Sequence, residues 1–229
     1  MAEQIFGSKL FNKIKAVDSY IVDALHPADA DLDSTLKANA RSSLNAIDVS
    51  PVHGKLLYLL AKITNAKRIL EFGTLGGYSA IWFAKALPKG GKLITCELEP
   101  KHAQVAQSNI DNAGLTDKVE IRLGPALETI ERMGREGVED FDMVFIDADK
   151  ENNAAYFKFA LEHSHSGTVI VVDNVVRRGS LVDEEQQSSQ VVGVRNMFEW
   201  LKTEKRVECT AVQTLGSKGW DGMVLARVL

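Results

Sequence analysis

The sequence of 229 residues has only two cysteines and no apolar run long enough to cross a membrane. Two cysteines are too few for a disulfide framework, and both lie in apolar, strand-like runs, so we expect Cys96 and Cys209 to be reduced, buried thiols. No segment reaches the roughly 18 consecutive apolar residues of a membrane span. The N-terminal stretch also lacks the apolar core and the cleavage site of a signal peptide. These absences predict a cytosolic protein without a membrane partner.

An excess of basic residues is missing too. Lysine and arginine number 27 against 31 aspartates and glutamates, which gives a formal net charge of -4. The sequence therefore has no electrostatic footprint for nucleic acid. Its length suits one α/β domain and is too short for two of ordinary size. We expect a single domain over residues 1–229, with a helical N-terminal cap over 1–48 and a catalytic core over 49–229.

Several catalytic motifs are absent as well. No G-x-S-x-G or Cys/His arrangement indicates an acyl-transfer nucleophile. The histidines at positions 53, 102, 163 and 165 have no partner at metal-site or triad spacing, so we expect solvated or packing roles for them. The dinucleotide pattern G-x-G-x-x-G fails because position 75 is leucine, which argues against NAD.

The most informative stretch is RILEFGTLGGYSA, residues 68–80, in which a short apolar strand ends at an acid and a glycine-rich turn leads into a helix. Gly73 allows a tight turn or a close approach of the backbone to a ligand. Glu71 would repel a pyrophosphate and attract an ammonium or another cationic group. A small cationic cofactor that carries an adenosine fits this stretch better than NAD, although an ordinary strand-to-helix turn is the simpler alternative.

Strand and helix patterns alternate through most of the chain. Strands are predicted at residues 69–72, 92–97, 118–123, 141–146 and 168–172, and helices at 52–63, 78–87, 100–112, 125–133, 152–163 and 190–202. Two further strands, 207–213 and 222–228, are joined by LGSKGWD without a helix, which predicts an antiparallel hairpin. The fold class is therefore α/β, a doubly wound, mostly parallel, seven-stranded Rossmann-like sheet with an antiparallel C-terminal hairpin and N-terminal cap helices.

Two N-terminal helices precede the first strand. Apolar residues at helical spacing predict the first over residues 8–25. Ser34 is expected to cap the second, which would run to Ile47 and bury Leu36, Leu44 and Ile47. These helices suit a cap over the ligand site, a partner surface or a simple packing role.

Acidic side chains follow the ends of three predicted strands. Glu97 ends the second strand, where α/β nucleotide sites bind ribose hydroxyls. FIDADK and VIVVDN lie at the ends of the strands predicted at residues 141–146 and 168–172. Two carboxylates and an amide oxygen from these two strand ends form a hard ligand set suited to Mg²⁺, Mn²⁺ or Ca²⁺. The lysine of FIDADK is a candidate general base. Each acid could instead cap a helix, and the lysine could be a surface residue paired with a neighbouring aspartate.

Taken together, EFGTLGGYS, CELEP, GPA, DADK and DN resemble the class I S-adenosylmethionine-dependent O-methyltransferases that need a divalent metal, the catechol and caffeoyl-CoA O-methyltransferase group. The resemblance covers about residues 46–229. Leucine at position 75 departs from the general methyltransferase pattern, and this metal-dependent group tolerates it. The resemblance implies that S-adenosylmethionine is held by Val49, Glu71, Gly73, Ser79, Glu97, Ala126 and Asp149.

The same resemblance implies that Asp147, Asp173 and Asn174 bind the metal, with Mg²⁺ as the expected cation, and that Lys150 is the catalytic lysine. It also implies a homodimer and a small aromatic substrate whose vicinal hydroxyls include the methyl acceptor. Two alternatives stay open: methylation of a hydroxylated tRNA base, against which the acidic balance argues, and an adenosine-ligand binding module without catalysis.

Overall fold

A seven-stranded sheet lies at the centre of the structure, a computed structural model that describes residues 2–229, with side chains described from residue 6. The strands are β1 Arg68–Phe72, β2 Lys92–Glu97, β3 Val119–Leu123, β4 Phe141–Ile146, β5 Ser164–Asp173, β6 Val207–Gly216 and β7 Gly219–Val228. Their order is β3-β2-β1-β4-β5-β7-β6. The first five are parallel, and β7 is antiparallel to both β5 and β6. The predicted fold class is confirmed.

Helices cover both faces of the sheet. They are α1 Ala2–Leu25, α2 Ala30–Arg41, α3 Pro51–Ile63, α4 Tyr78–Ala86, α5 Pro100–Asn112, α6 Ala126–Glu136, α7 Asn153–Glu162 and α8 Ser189–Leu201. One apolar core lies between the sheet and α6, α7 and α8, and a second lies between the sheet and α3, α4 and α5. The central strands can therefore be apolar on both faces, as parallel strands buried between helix layers usually are.

Strand order reverses between β1 and β4, where the chain passes from one half of the sheet to the other. Leu70 pairs with Val144, and Phe72 pairs with Ile146, so the two strands end side by side. All four side chains are fully buried. In an open α/β sheet, ligands bind outside the carboxyl ends of the strands at such a switch point.

The second N-terminal helix differs from the prediction. Asp29, not Ser34, is the N-cap of α2, and its Oδ1 accepts from the amides of Asp31 and Leu32 at 3.1 and 3.2 Å. The helix ends at Arg41, so Ile47 lies beyond it and is 68% exposed. Apolar spacing does not mark where this helix begins, because the Asp29 carboxylate accepts from the free amides of its first turn.

The helix predicted at residues 8–25 belongs to the longer α1, in which Gly7 has non-helical backbone angles. Leu36 and Leu44, predicted to be buried, are half-buried. None of the helices within residues 2–229 combines the length and apolar character that crossing a bilayer requires.

The C-terminal hairpin is longer than predicted. Pairing extends from Val207 with Val228 to Gly216 with Gly219, so most of LGSKGWD belongs to the two strands and only Ser217 and Lys218 form the turn. Cys96 is buried, but Cys209 on the outer strand β6 is exposed. The expectation of two buried thiols is therefore wrong for Cys209, because β6 is the edge strand and its residues 208–213 are all exposed.

Candidate functional site

Two adjoining cavities lie along the carboxyl ends of the parallel strands. The first, of about 390 Å³, is lined by the predicted site residues Val49, Gly73, Ser79, Glu97, Asp147, Lys150 and Asn174. The second, of about 400 Å³, is lined by Gly73, Glu97, Ala126 and Asp149. Gly73 and Glu97 belong to both walls, so the cavities are two halves of one cleft. Glu71 and Asp173, the remaining predicted residues, are buried at strand ends.

The glycine-rich turn joins β1 to α4 and forms the floor between the two halves. Gly73 has φ 94°, and a Cβ atom there would lie 2.3 Å from the carbonyl oxygen of Asp147. Only glycine allows this approach between the ends of β1 and β4. Leu75 has φ 49°, an uncommon value for a residue with a side chain. The turn thus places Gly73, Thr74 and Leu75 in the wall of the first cavity.

Glu71 is fully buried at the end of β1. Burial raises the pKa of its carboxyl to about 8, although the nearby Ser79 and Thr95 hydroxyls oppose that change. Oε2 accepts a hydrogen bond from Thr95 Oγ1 at 2.6 Å. Among the described residues, Oε1 has no donor in hydrogen-bonding geometry. A buried carboxyl oxygen without a partner is costly, so this side chain suits a cationic or donor group supplied by a ligand.

Glu97 connects the glycine turn to the end of β2. Its Oε2 accepts from the amides of Thr74 and Leu75 at 3.2 and 2.8 Å, and its Oε1 accepts from the amide of Glu99 at 2.9 Å. His102 Nδ1 lies 3.3 Å from the same Oε1. These contacts fix the carboxylate at the junction of the two cavities.

The second cavity contains Ala126, the first residue of α6, and Asp149, which follows β4. Asp149 Oδ1 accepts from Tyr156 Oη at 2.5 Å. The Tyr156 ring stacks on Phe72 at a centroid distance of 4.7 Å. Burial and the Asp149 carboxylate raise the pKa of Tyr156, so this hydroxyl stays a donor. The apolar wall with one oriented carboxylate suits a flat, hydrogen-bonding ring.

Asp147 and Lys150 face the first cavity from the segment after β4. Lys150 lies in a short 3₁₀ turn, Lys150–Asn152, and its side chain is buried. Lys150 Nζ lies 2.7 Å from Asp147 Oδ1. Lys150 is therefore not a surface residue, as the alternative interpretation of the sequence had it. Its pairing with a neighbouring aspartate fits both a structural and a catalytic role.

Asp173 ends β5 beside this pair and is 7% exposed. Burial, followed by the charge of Asp147, raises the pKa of Asp173 to about 8. Its Oδ1 accepts from the amide of Asn174 at 2.8 Å, and its Oδ2 lies 3.6 Å from His53 Nδ1. Asn174 has φ 58° and lines the first cavity.

The donor set fits a hard divalent cation. Asp173 is buried and Asp147 is half-buried, and the charge of Asp147 disfavours ionisation of Asp173. A positive charge beside the two carboxylates would stabilise them, and the side-chain amide of Asn174 offers a neutral oxygen. Within residues 2–229, no group of three His, Cys, Asp or Glu side chains is arranged as a metal site. A metal at the candidate site would thus need the side-chain oxygen of Asn174 and oxygen atoms from water or substrate in addition to the two carboxylates.

Three side chains at the site were missed or misjudged from the sequence. His53 and His102 have no partner at metal-site or triad spacing in the sequence and were expected to have solvated or packing roles, but they lie beside the carboxylates of Asp173 and Glu97. Tyr156, the donor to Asp149, was not singled out. Their sequence signal is weak, because each side chain comes from a helix and meets its carboxylate only through tertiary packing. His102 could have been suggested by its spacing of five residues from Glu97.

Comparison with known proteins gives one consistent result. A model of the O-methyltransferase family matches residues 26–229. The chain is similar to a catechol O-methyltransferase of Niastella koreensis, with 49% identity over 228 residues that cover 100% of both proteins. It is also similar to a catechol O-methyltransferase of Mycobacterium tuberculosis, with 43% identity over 212 residues, 93% of this chain and 94% of that protein.

Solved structures agree with the sequence comparisons. An O-methyltransferase from Bacillus cereus in complex with SAH has 49% identity and a TM-score of 0.94, covering 96% of this chain and 100% of that chain. The O-methyltransferase TomG from Streptomyces achromogenes, involved in tomaymycin synthesis and solved in complex with SAM, has 42% identity and a TM-score of 0.91, covering 95% and 97%.

Proposed function

The chain belongs to the O-methyltransferase family and is an S-adenosylmethionine-dependent enzyme of that family, and on this basis we propose that it methylates one hydroxyl of a small catechol-like aromatic with the help of a divalent cation and Lys150. The observation that carries the proposal is the position of Lys150. Its buried Nζ lies 2.7 Å from Asp147 and faces the same cavity as Ser79 and Asn174. A candidate base, two of the three candidate metal ligands, Asp147 and Asn174, and a candidate cofactor contact therefore line one cavity.

The two-part cleft supports the proposed cofactor contacts. Ala126 and Asp149 in the second cavity suit the adenine end, and Val49 and Ser79 in the first suit the methionine end. Glu97 lies at the junction, where the ribose between the two ends would pass. When bound, S-adenosylmethionine supplies an electrophilic sulfonium methyl group.

Glu71 completes the methionine end. Its buried Oε1, which has no hydrogen-bond donor among the described residues, is suited to an ammonium group. Pairing with an ammonium would favour the ionised carboxylate that burial alone disfavours. We therefore propose that Glu71 binds the amino group of S-adenosylmethionine. A phosphate group, which a dinucleotide would bring, does not suit this carboxyl.

Asp147, Asp173 and Asn174 are the residues that would hold the metal, with Mg²⁺ the best match to an all-oxygen set. When bound, a divalent cation supplies positive charge that favours ionisation of an acceptor hydroxyl. The chain itself orients these oxygen atoms. The backbone N–H of Asn174 donates to Asp173 Oδ1, and Lys150 Nζ donates to Asp147 Oδ1.

Lys150 is the proposed general base, and Nζ receives the proton of the acceptor hydroxyl. The transfer neutralises an oxygen anion and a sulfonium and yields a methyl ether and S-adenosylhomocysteine. Little further chemistry is left to the protein, so its main contributions are to align the reactants and to exclude water. The burial of Lys150 and Glu71 is consistent with both contributions.

The test is methyl transfer from S-adenosylmethionine to a panel of catechols, with mono-phenols as controls. Products are identified by mass spectrometry in the presence of Mg²⁺ and again after treatment with EDTA. We expect product from vicinal diols alone, and we expect EDTA to abolish it and added Mg²⁺ to restore it.

Activity that survives EDTA would refute the metal site while leaving the methyltransferase assignment intact. Absence of product from every catechol would refute the acceptor class and favour a hydroxylated tRNA base or a larger conjugated acceptor. The cytosolic location and the homodimer stay predictions from the sequence.

A further inference from the structure

Arg177 lines the first cavity together with Lys150 and Asn174, and neither the metal set nor the cofactor contacts use it. It lies three residues after Asn174, so the chain keeps the two Cα atoms within about 10 Å of each other. The residue is half-buried. A guanidinium is thus present in the same cavity as the proposed metal ligands and the proposed base.

The backbone of Arg177 is held in an unusual conformation. Its φ is 53°, in the left-handed region that side chains rarely adopt. Asp221 Oδ1 on β7 compensates by accepting from the amides of Val176 and Arg177 at 3.0 and 2.9 Å. Residues held in rarely populated backbone conformations are concentrated at ligand sites, where the surrounding structure fixes a side chain in place.

The segment that follows Arg177 is also fixed. Arg195 on α8 donates to the carbonyls of Leu181 and Ser180 at 3.0 and 2.9 Å. Its Nη1 donates to the carbonyl of Gln186 at 2.9 Å. The side of the cavity that carries Arg177 is therefore built from a segment tied to both α8 and β7.

No carboxylate of the described side chains, residues 6–229, forms an ion pair with Arg177. Arg177 Nη2 donates to Gln190 Oε1, a neutral amide in the first turn of α8. The Asp48 carboxyl also lines this cavity, but Asn39 Nδ2 holds its Oδ1 at 2.8 Å.

We infer that Arg177 binds an anionic substituent of the acceptor, a carboxylate on the aromatic side chain, and this inference rests on the proposed methylation of catechols. A guanidinium can donate two parallel hydrogen bonds to a carboxylate. Arg177 could give up its hydrogen bond to the neutral Gln190 amide to make these two bonds. The N-terminal end of α8, where Gln190 lies, adds a partial positive charge. The enzyme should therefore favour catechols with an acidic side chain over those with a neutral or basic one.

The test compares three acceptors that share the catechol ring and differ in the end of the side chain: 3,4-dihydroxyphenylacetate, 4-ethylcatechol and dopamine. Values of kcat and KM are measured for the wild type, for Arg177→Gln and for Arg177→Lys. Arg178→Gln is the matched control, because Arg178 is the next residue, has the same side chain and a φ of 56°, and is not part of the cavity wall.

We expect the wild type to use the carboxylate acceptor at least about tenfold more efficiently than the ammonium acceptor. Arg177→Gln should lose about tenfold in kcat/KM on the carboxylate, through KM, and change little on 4-ethylcatechol. Arg177→Lys should keep part of the preference, and Arg178→Gln should keep all of it.

Equal losses on all three acceptors in Arg177→Gln would mean a structural role and would overturn the inference. An unchanged ratio of acid to amine would do the same while leaving catechol methylation intact. Failure of the neutral 4-ethylcatechol with the wild type, in contrast, would count against the proposed function itself.

Discussion

Glu71 offers a direct test of how burial and function oppose each other in this protein. Its carboxyl is fully buried, and its pKa is raised from 4.5 to about 8 in the folded protein. Between these two pH values the folded protein keeps a proton that the unfolded chain releases. The free energy of unfolding contributed by Glu71 therefore falls as pH rises through this window.

The magnitude follows from the width of the window, which is about 3.5 pH units. At about 1.4 kcal/mol for each unit, the loss by pH 8 is on the order of 5 kcal/mol. Glu71→Gln places a neutral group of nearly the same shape at this position and removes the loss. We expect the variant to match the wild type near pH 4.5 and to be several kcal/mol more stable at pH 8.

The assay is urea unfolding of the ligand-free protein at pH 5, 6.5 and 8, with Glu208→Gln as the control because Glu208 is an exposed carboxylate in a strand. The control should follow the wild type at every pH. The same Glu71→Gln protein should bind S-adenosylmethionine about tenfold or more weakly, because a charged hydrogen bond is lost. Parallel pH profiles for the wild type and Glu71→Gln would refute the burial argument, and unchanged binding would refute the assigned role.

Three further predictions concern the metal set, the base and the turn. Asp147→Ala should abolish metal-dependent turnover and leave binding of S-adenosylmethionine largely intact by calorimetry; loss of cofactor binding would mean that this acid is misassigned. Lys150→Met should reduce kcat by about 10²-fold or more without weakening cofactor binding. The control Lys158→Met on α7 should change neither kcat nor cofactor binding. A normal kcat in Lys150→Met would exclude Lys150 as the base. Gly73→Ala should lower the free energy of unfolding by roughly 1–3 kcal/mol in urea titrations, because the new Cβ would meet the Asp147 carbonyl; an unchanged unfolding midpoint would contradict that geometry.

The sheet and its ligand edge could be predicted from the sequence because they depend on local patterns. Apolar runs that end in acids mark the carboxyl ends of parallel strands, and these ends must meet at one edge. Glu97, Asp147 and Asp173 follow this rule. The resemblance then supplied residues such as Ala126, for which no local pattern gives a role.

The errors arose where tertiary contacts decide the outcome. The aspartate at position 29 begins α2 and also pairs with Lys85, a residue 56 positions away, and no periodicity indicates this pairing. His53 reaches Asp173 from α3 across the sheet edge in the same way. The exposure of Cys209 depends on β6 being the edge strand, which follows from strand order and not from its apolar neighbours.

The two glutamates of the cofactor site show what only the structure can add. In sequence, Glu71 and Glu97 look alike in one respect, since each lies in the last two residues of a strand that leads into the ligand edge. In the structure, Glu97 accepts hydrogen bonds at both oxygen atoms from the backbone, whereas Glu71 has one oxygen without a donor among the described residues. Glu97 is therefore already oriented before any ligand binds, and it shapes the turn. Glu71 is the carboxyl that the fold leaves to be satisfied by a ligand, so its substitution should separate stability from binding, and substitution of Glu97 should impair both.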